Sequence, residues 1–232
     1  MFGRKKEDPP VAPVRWDTES AFVVGEVVRP AAFRQKALIG RRAVRMSVTR
    51  DGVRYFAAAA FVEQQDLQTR AYELHDATQP QELLCTIVPM SGGSERYQVR
   101  DQTGQELGLV FRTVAAKRTV QHGWWLRQPG HPDVVARYHW ARGSAKEIAA
   151  RGKDAAVRGA GSLVSGVAES VLYGEMAADS RSYVRPTKPV TWCADDEVVL
   201  TAGHTQGIKS YIPQASWLDR RLAFAMAVLR QN

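Results

Sequence analysis

Polar and apolar residues alternate along much of this chain, the period expected of strands with one buried face. Val44, Met46 and Val48 alternate with Arg45, Ser47 and Thr49, and Asp51-Gly52 follows. An Asp-Gly pair suits a two-residue type I′ turn, whose central residues both need positive φ. Folding about it sets Val48 opposite Tyr55, Met46 opposite Ala57 and Val44 opposite Ala59. All six side chains then share one face, and a slip of one residue would turn the set outward. Ahead of this hairpin, residues 21–30 predict one or two short strands.

The hairpin pattern recurs. Tyr72-Glu-Leu-His-Asp76 precedes Gln81-Glu-Leu83, and 25 residues on Tyr97-Gln-Val-Arg-Asp101 precedes Gln105-Glu-Leu107. In the second copy Tyr97 and Val99 point inward, and Leu107, Leu109 and Phe111 return on one face. Between them, Asp101-Gln-Thr-Gly104 places Asp first and Gly fourth, as a type I turn prefers. A looser third copy runs from Trp124-Trp-Leu126 through Gln-Pro-Gly-His-Pro to Val134-Val-Ala-Arg-Tyr138, with one Trp ring in the core and the other near its rim. Repeated hairpins predict an antiparallel meander, open or closed into a barrel.

Near residue 143 the composition changes. Ser144-Ala-Lys-Glu147 fits a capping box, and the chain stays rich in Ala and Gly to about Ala178. Leu163, Val164, Val167 and Val171 fall at helical spacing, although each Gly in such a helix costs ~1 kcal/mol against Ala. The segment predicts a helical insertion over 143–180. Strands resume at 189–192 and 197–201, with Ala194-Asp-Asp196 as their turn. Ser216-Trp-Leu-Asp219 then caps a helix in which Leu222 to Leu229 runs without a polar residue. That run exceeds two helical turns, so every side is apolar and the helix must be enclosed by other structure. The expected fold is mainly β (α+β): an antiparallel meander β-barrel around a buried C-terminal α-helix, with a Gly/Ala-rich helical insertion.

The chain has 232 residues, which suits a flexible basic, proline-containing leader over 1–20 and a single domain over 21–232. No stretch approaches the ~18 apolar residues of a membrane-spanning helix, and the N-terminus lacks the apolar run of a signal peptide. The two cysteines, Cys85 and Cys193, read as buried thiols in a reducing compartment. The expected location is cytoplasmic, peripheral to a membrane at most. A formal net charge of +8 favours anionic partners without choosing among them.

The meander ending in a fully apolar helix resembles the tubby C-terminal-like superfamily, which includes the LURP-one-related proteins and the phospholipid scramblases. The stretch from Tyr97 to Val110 is similar to that group's recurring hairpin of aromatic, hydrophobic, Asp and Gly, and residues 216–231 to its terminal helix. The resemblance covers residues 30–140 and 185–232. It implies about twelve strands closed around a central helix, and contact with lipid. The 143–180 insertion is not part of the common pattern, and the basic phosphoinositide site of tubby proteins has no match.

Catalytic signatures are weak. Gly203-His-Thr-Gln-Gly207 imitates a nucleophile elbow, but no histidine follows His204, as that fold would need; a Gly-flanked turn is the plainer reading. The histidines show no metal-ligand spacing, and no complete phosphate loop is present. The expectation is therefore no enzyme, no catalytic residue, no metal and no cofactor. Two basic clusters remain. Between Val27 and Arg54 eight basic residues face Asp51 alone. Arg41, Arg42, Arg45 and Arg54 are the anion- or lipid-binding candidates there, part of them forming an outward stripe. Lys146, Arg151, Lys153 and Arg158 open the insertion as the second cluster. Leu163, Val164, Val167 and Val171 are the candidates for docking a partner. The expected function is a non-catalytic binding or scaffold protein meeting an acidic membrane surface or a protein partner. The alternatives are a structural subunit docking through 143–180, and a nucleic-acid binder using the same charge.

Overall fold

The computed structural model describes residues 11–31, 36–66, 70–91, 95–113, 123–137, 190–205 and 207–231. The chain divides into two compact units, Met1–Ala136 with Thr191–Asn232, and Arg137–Val190. The second unit, and with it the predicted insertion, lies outside the described residues apart from its two boundary positions.

Twelve antiparallel strands close into a barrel in the first unit. They are β1 Phe22–Arg29, β2 Leu38–Arg50, β3 Val53–Asp66, β4 Ala71–Asp76, β5 Leu83–Pro89 and β6 Glu95–Asp101, continuing with β7 Glu106–Arg112, β8 Trp124–Arg127, β9 Val134–Arg137, β10 Val190–Ala194, β11 Glu197–Thr205 and β12 Ile208–Pro213. Each strand neighbours the next in sequence, and β1 closes the wall on β12 through Phe22↔Tyr211 and Val23↔Ser210. One helix among the described residues, α1 (Arg220–Leu229), runs inside. Every side chain from Leu222 to Leu229 is buried, as an all-apolar helix requires. Phe22 stacks on Tyr211 at 5.4 Å and meets Phe224 edge-on at 4.7 Å, joining the closing seam to the helix.

The first hairpin turns at Asp51 (φ 50°) and Gly52 (φ 74°), both positive as the type I′ turn demands. Val48 pairs with Tyr55 and Met46 with Ala57, but Val44 pairs with Ala60 rather than Ala59. A bulge intervenes, and a bulge leaves backbone groups outside the ladder. Here they find other partners: the Ala58 carbonyl accepts from Val14 N–H at 2.9 Å and the Ala59 carbonyl from Ala77 N–H at 3.1 Å. Residues 11–20, assigned by composition to a leader, thereby contact the barrel, and Arg220 donates to the carbonyls of Trp16 and Ser20.

The internal repeat corresponds to the β4–β5 and β6–β7 hairpins. Asp76 Oδ1 accepts from Thr78 N–H and Oγ1, and Asp101 Oδ1 from Thr103 N–H and Oγ1, so both copies turn on the same Asp-x-Thr device. Leu107, Leu109 and Phe111 do share a face, but it is the outer one. Tyr97 pairs with Val110 and Val99 with Gly108, which hand the inner positions of β7 to Val110 and Gly108. The reason is α1. A Cβ on Gly108 would come within 2.8 Å of Leu222 Cδ2 and 2.3 Å of the Arg127 carbonyl oxygen, so only a glycine lets helix and wall approach this closely. Trp124 is in the core and Trp125 lies half-buried outside, stacked on Phe111 at 3.8 Å.

Ala225 sits at the centre of the enclosed helix with no exposed surface. Ala225→Asp would bury an unpaired carboxylate, costing several kcal/mol, and is expected to abolish the cooperative thermal transition. Gly108→Ala is expected to destabilise by about 1–3 kcal/mol, read as a lower denaturant midpoint, because the obstructing atom is backbone and cannot swing away.

Candidate functional site

The connections at one end of the barrel are tight turns at 51–52, 102–105 and 195–196, with the slightly longer 77–82, 128–133 and 214–219. This turn end receives the amino end of α1. Asp219 caps the helix by accepting from Arg221 N–H at 2.8 Å, and Gln128 bridges Asp219 N–H and the Trp217 carbonyl. Carboxylates concentrate here because Asp serves both as turn former and as N-cap. Hydrogen bonds from the Thr103 hydroxyl and from backbone amides hold the Asp101 carboxyl below the usual range, and Arg127 does the same for Asp133. His131 is in the turn between β8 and β9, its ring stacked on Trp217 at 4.3 Å.

At the opposite end, where α1 finishes, the charge is reversed. Arg42 reaches to 3.5 Å from the Val228 carbonyl oxygen and lies over the Tyr72 ring at 5.5 Å. A guanidinium there complements the negative end of the helix dipole. Arg112 donates to both oxygens of Glu95, at 3.1 and 2.8 Å, and covers the Trp124 ring at 5.3 Å. Arg70 stands 3.7 Å from the same carboxylate. Its pKa is raised above the ordinary value, chiefly by its hydrogen bond to Tyr97. Arg230 ends the helix with its guanidinium 4.7 Å over Trp192 and 5.8 Å from the Tyr211 ring centre. Its Nε and Nη1, and Nε of Arg112, are buried donors without a hydrogen-bond partner. Four guanidinium groups thus gather around the helix carboxyl end, with Glu95 as the carboxylate shared by two of them.

The expected stripe along β2 and β3 is not continuous. Arg41 is exposed, but its Nη2 is 2.6 Å from Glu63 Oε1 and its head lies over Phe61 at 4.4 Å. Arg42 turns into the cluster just described. Arg45 faces outward in register yet is only 3% exposed. It donates to the carbonyls of Gly25 (3.0 Å), Phe56 (3.2 Å) and Arg41, stitching the irregular edges of β1, β2 and β3 together. Burial pulls its pKa down, with no carboxylate bonded to it. Arg45 is therefore a structural clasp where an accessible cation was expected. Arg54 stands exposed near the start of β3. Lys146, Arg151, Lys153, Arg158, Leu163, Val164, Val167 and Val171 all lie outside the described residues. Arg70 and Arg112 escaped the sequence reading because each is a lone base at a strand boundary; pairing of β6 with β7 sets Glu95 opposite Arg112, and Arg70 meets the same carboxylate.

Among the described residues, no group of three or more His, Cys, Asp and Glu side chains could hold a metal ion. Both cysteines are free and buried, and desolvation pushes the Cys85 thiol up to about 12, far from a nucleophile's range. Gly203-His204-Thr205 is extended strand paired with Ile208–Ser210, not a turn or an elbow; the turn itself falls at Gly207 (φ 78°). No helix among the described residues is long and apolar enough to cross a membrane. No family model, curated protein or solved structure matches this chain.

Replacing Arg45 by Met leaves three carbonyl oxygens without their donor and is expected to lower stability by about 3 kcal/mol. Arg54→Gln, on the open surface, is expected to change it by less than about 0.5 kcal/mol. Denaturant midpoints of the two variants check the contrast.

Proposed function

We propose that this chain is a non-catalytic binding or scaffold protein with a tubby-like barrel, cytoplasmic and peripheral to the membrane. It meets acidic lipid headgroups through the arginine-lined end of the barrel. The observation that carries this reading is the gathering of Arg42, Arg70, Arg112 and Arg230 around the carboxyl end of α1. The core rings of Tyr72, Trp124 and Trp192 lie against three of these heads, and buried donors of Arg112 and Arg230 are left there without a protein partner. Each basic residue near an acidic membrane contributes ~1 kcal/mol, so a cluster of several is enough to hold a protein there. The closed twelve-strand wall filled by a terminal helix supports the tubby-like part of the reading, because the resemblance implies both features. The basic residues Lys146, Arg151, Lys153 and Arg158 enter through their sequence alone, as a second contact with the same surface.

Flotation with vesicles tests the proposal. The full chain is expected to float with phosphatidylserine-containing vesicles at physiological salt, to stay behind with neutral ones, and to release as ionic strength rises. Removing two charges with the double variant Arg70→Gln, Arg112→Gln is expected to weaken binding about thirtyfold. Equal flotation of parent and double variant would sink the proposal. So would a chain that ignores acidic vesicles while forming a defined oligomer, or one that binds DNA or RNA instead.

A further inference from the structure

A dent of about 180 Å³ opens in the outer wall where β1, β2, β3 and the β11–β12 hairpin meet. Its polar lining residues are Arg54, Ser47, Thr205 and Ser210; the others are apolar, including Phe22 and Phe56, and no Asp or Glu among the described residues lines it. Two features set this place apart. Arg54 makes no ion pair or hydrogen bond among the described residues, whereas Arg41, Arg112, Arg127 and Arg221 each hold a carboxylate. Ser210 is 4% exposed, a hydroxyl kept inside the wall, and its Oγ accepts from Thr205 Oγ1 at 3.0 Å. A hydroxyl that accepts still has its own proton to give. Among the described residues the dent thus has donors in Arg54, Ser47 and Ser210 and no carboxylate.

The placement of the donors indicates the shape of the anion. Arg54 on β3, Ser47 on β2 and Ser210 on β12 bring donors to the dent from three different strands. A planar carboxylate is met by a single guanidinium fork in one plane; a phosphate group carries three oxygens pointing apart, with a charge of about −1.5 to −2. A water needs only about 10–15 Å³ of such space, so the dent holds a phosphate group together with its waters. We propose that this dent binds a phosphate monoester, with Arg54 supplying the charge and Ser47 and Ser210 donating to the remaining oxygens, while Thr205 orients the Ser210 hydroxyl by donating to it. The site does not rest on the membrane reading. It shares no residue with the arginine cluster at the end of α1.

Calorimetric titration of the full chain with inorganic phosphate and with glycerol 3-phosphate tests the soluble source. Vesicles carrying phosphatidic acid, a phosphate monoester, test the lipid source against phosphatidylcholine vesicles. One-to-one saturable binding is expected in at least one arm, and the arm that saturates identifies the source. Arg54→Gln is expected to weaken that binding tenfold or more, as loss of a charge-assisted pair does. Ser210→Ala is expected to weaken it severalfold, while Arg100→Gln, on the outer face of β6, leaves it unchanged. Arg54 is exposed, so its variant is expected to melt with the parent, which separates lost binding from lost fold. Absence of saturation in both arms, or a titration indifferent to Arg54→Gln, would overturn the site. The double variant Arg70→Gln, Arg112→Gln keeps phosphate binding while losing flotation if both readings hold, so either can fail alone.

Discussion

A helix that is apolar on every side cannot stop at a surface, and the rest of this molecule is arranged to satisfy that constraint. Leu222 to Leu229 need a wall all round, and a sheet closed on itself provides one while leaving no unpaired edge. The wall adapts to its contents. Gly108 gives up its side chain where Leu222 presses on β7, and Leu109 and Phe111 are displaced to the outer face as a consequence. The aromatic chain from Tyr211 through Phe22 to Phe224 spans the seam where the first and last strands meet, so filling the barrel and closing it are one packing event.

The same helix polarises the molecule along its axis. Its amino end meets Asp219 among turns built on aspartates, and its carboxyl end meets Arg42 and Arg230. Helix dipole, turn chemistry and side-chain charge all run in one direction. Among the described residues the basic side chains serve different ends. Some are neutralised, as in Arg41 with Glu63 and Arg127 with Asp133. Some are structural, as in Arg45 with its three carbonyls. Others stand at the helix carboxyl end, where Arg112 and Arg70 share Glu95, and Arg54 stands exposed near the first hairpin turn.

Much of the fold was legible because it rests on short-range rules. The Asp51-Gly52 turn, the alternation on either side of it and the repeated Asp-x-Thr turns at Asp76 and Asp101 need only neighbouring residues to be understood. The enclosed helix was legible from composition alone. Reading failed where the answer lay in distant chain. The bulge at Ala59 is stabilised by Val14 and Ala77, and the outward turn of Leu109 and Phe111 answers to a helix more than a hundred residues away. The functional surface was the least legible part. Arg45 and Arg54 look alike in sequence, as strand arginines with outward parity, yet one is clasped by carbonyls and the other stands open.

The sequence by itself determined that strands would pair as successive hairpins and that the last apolar segment would be a helix hidden from water, because period, turn residues and hydrophobicity are properties of local chain. It could not determine which inward positions would tolerate that helix, nor which arginines would stay accessible. Only the closed tertiary structure decided those. Burial and pairing of a charge depend on what lies within a few ångströms in space, and here those neighbours come from strands far apart along the chain.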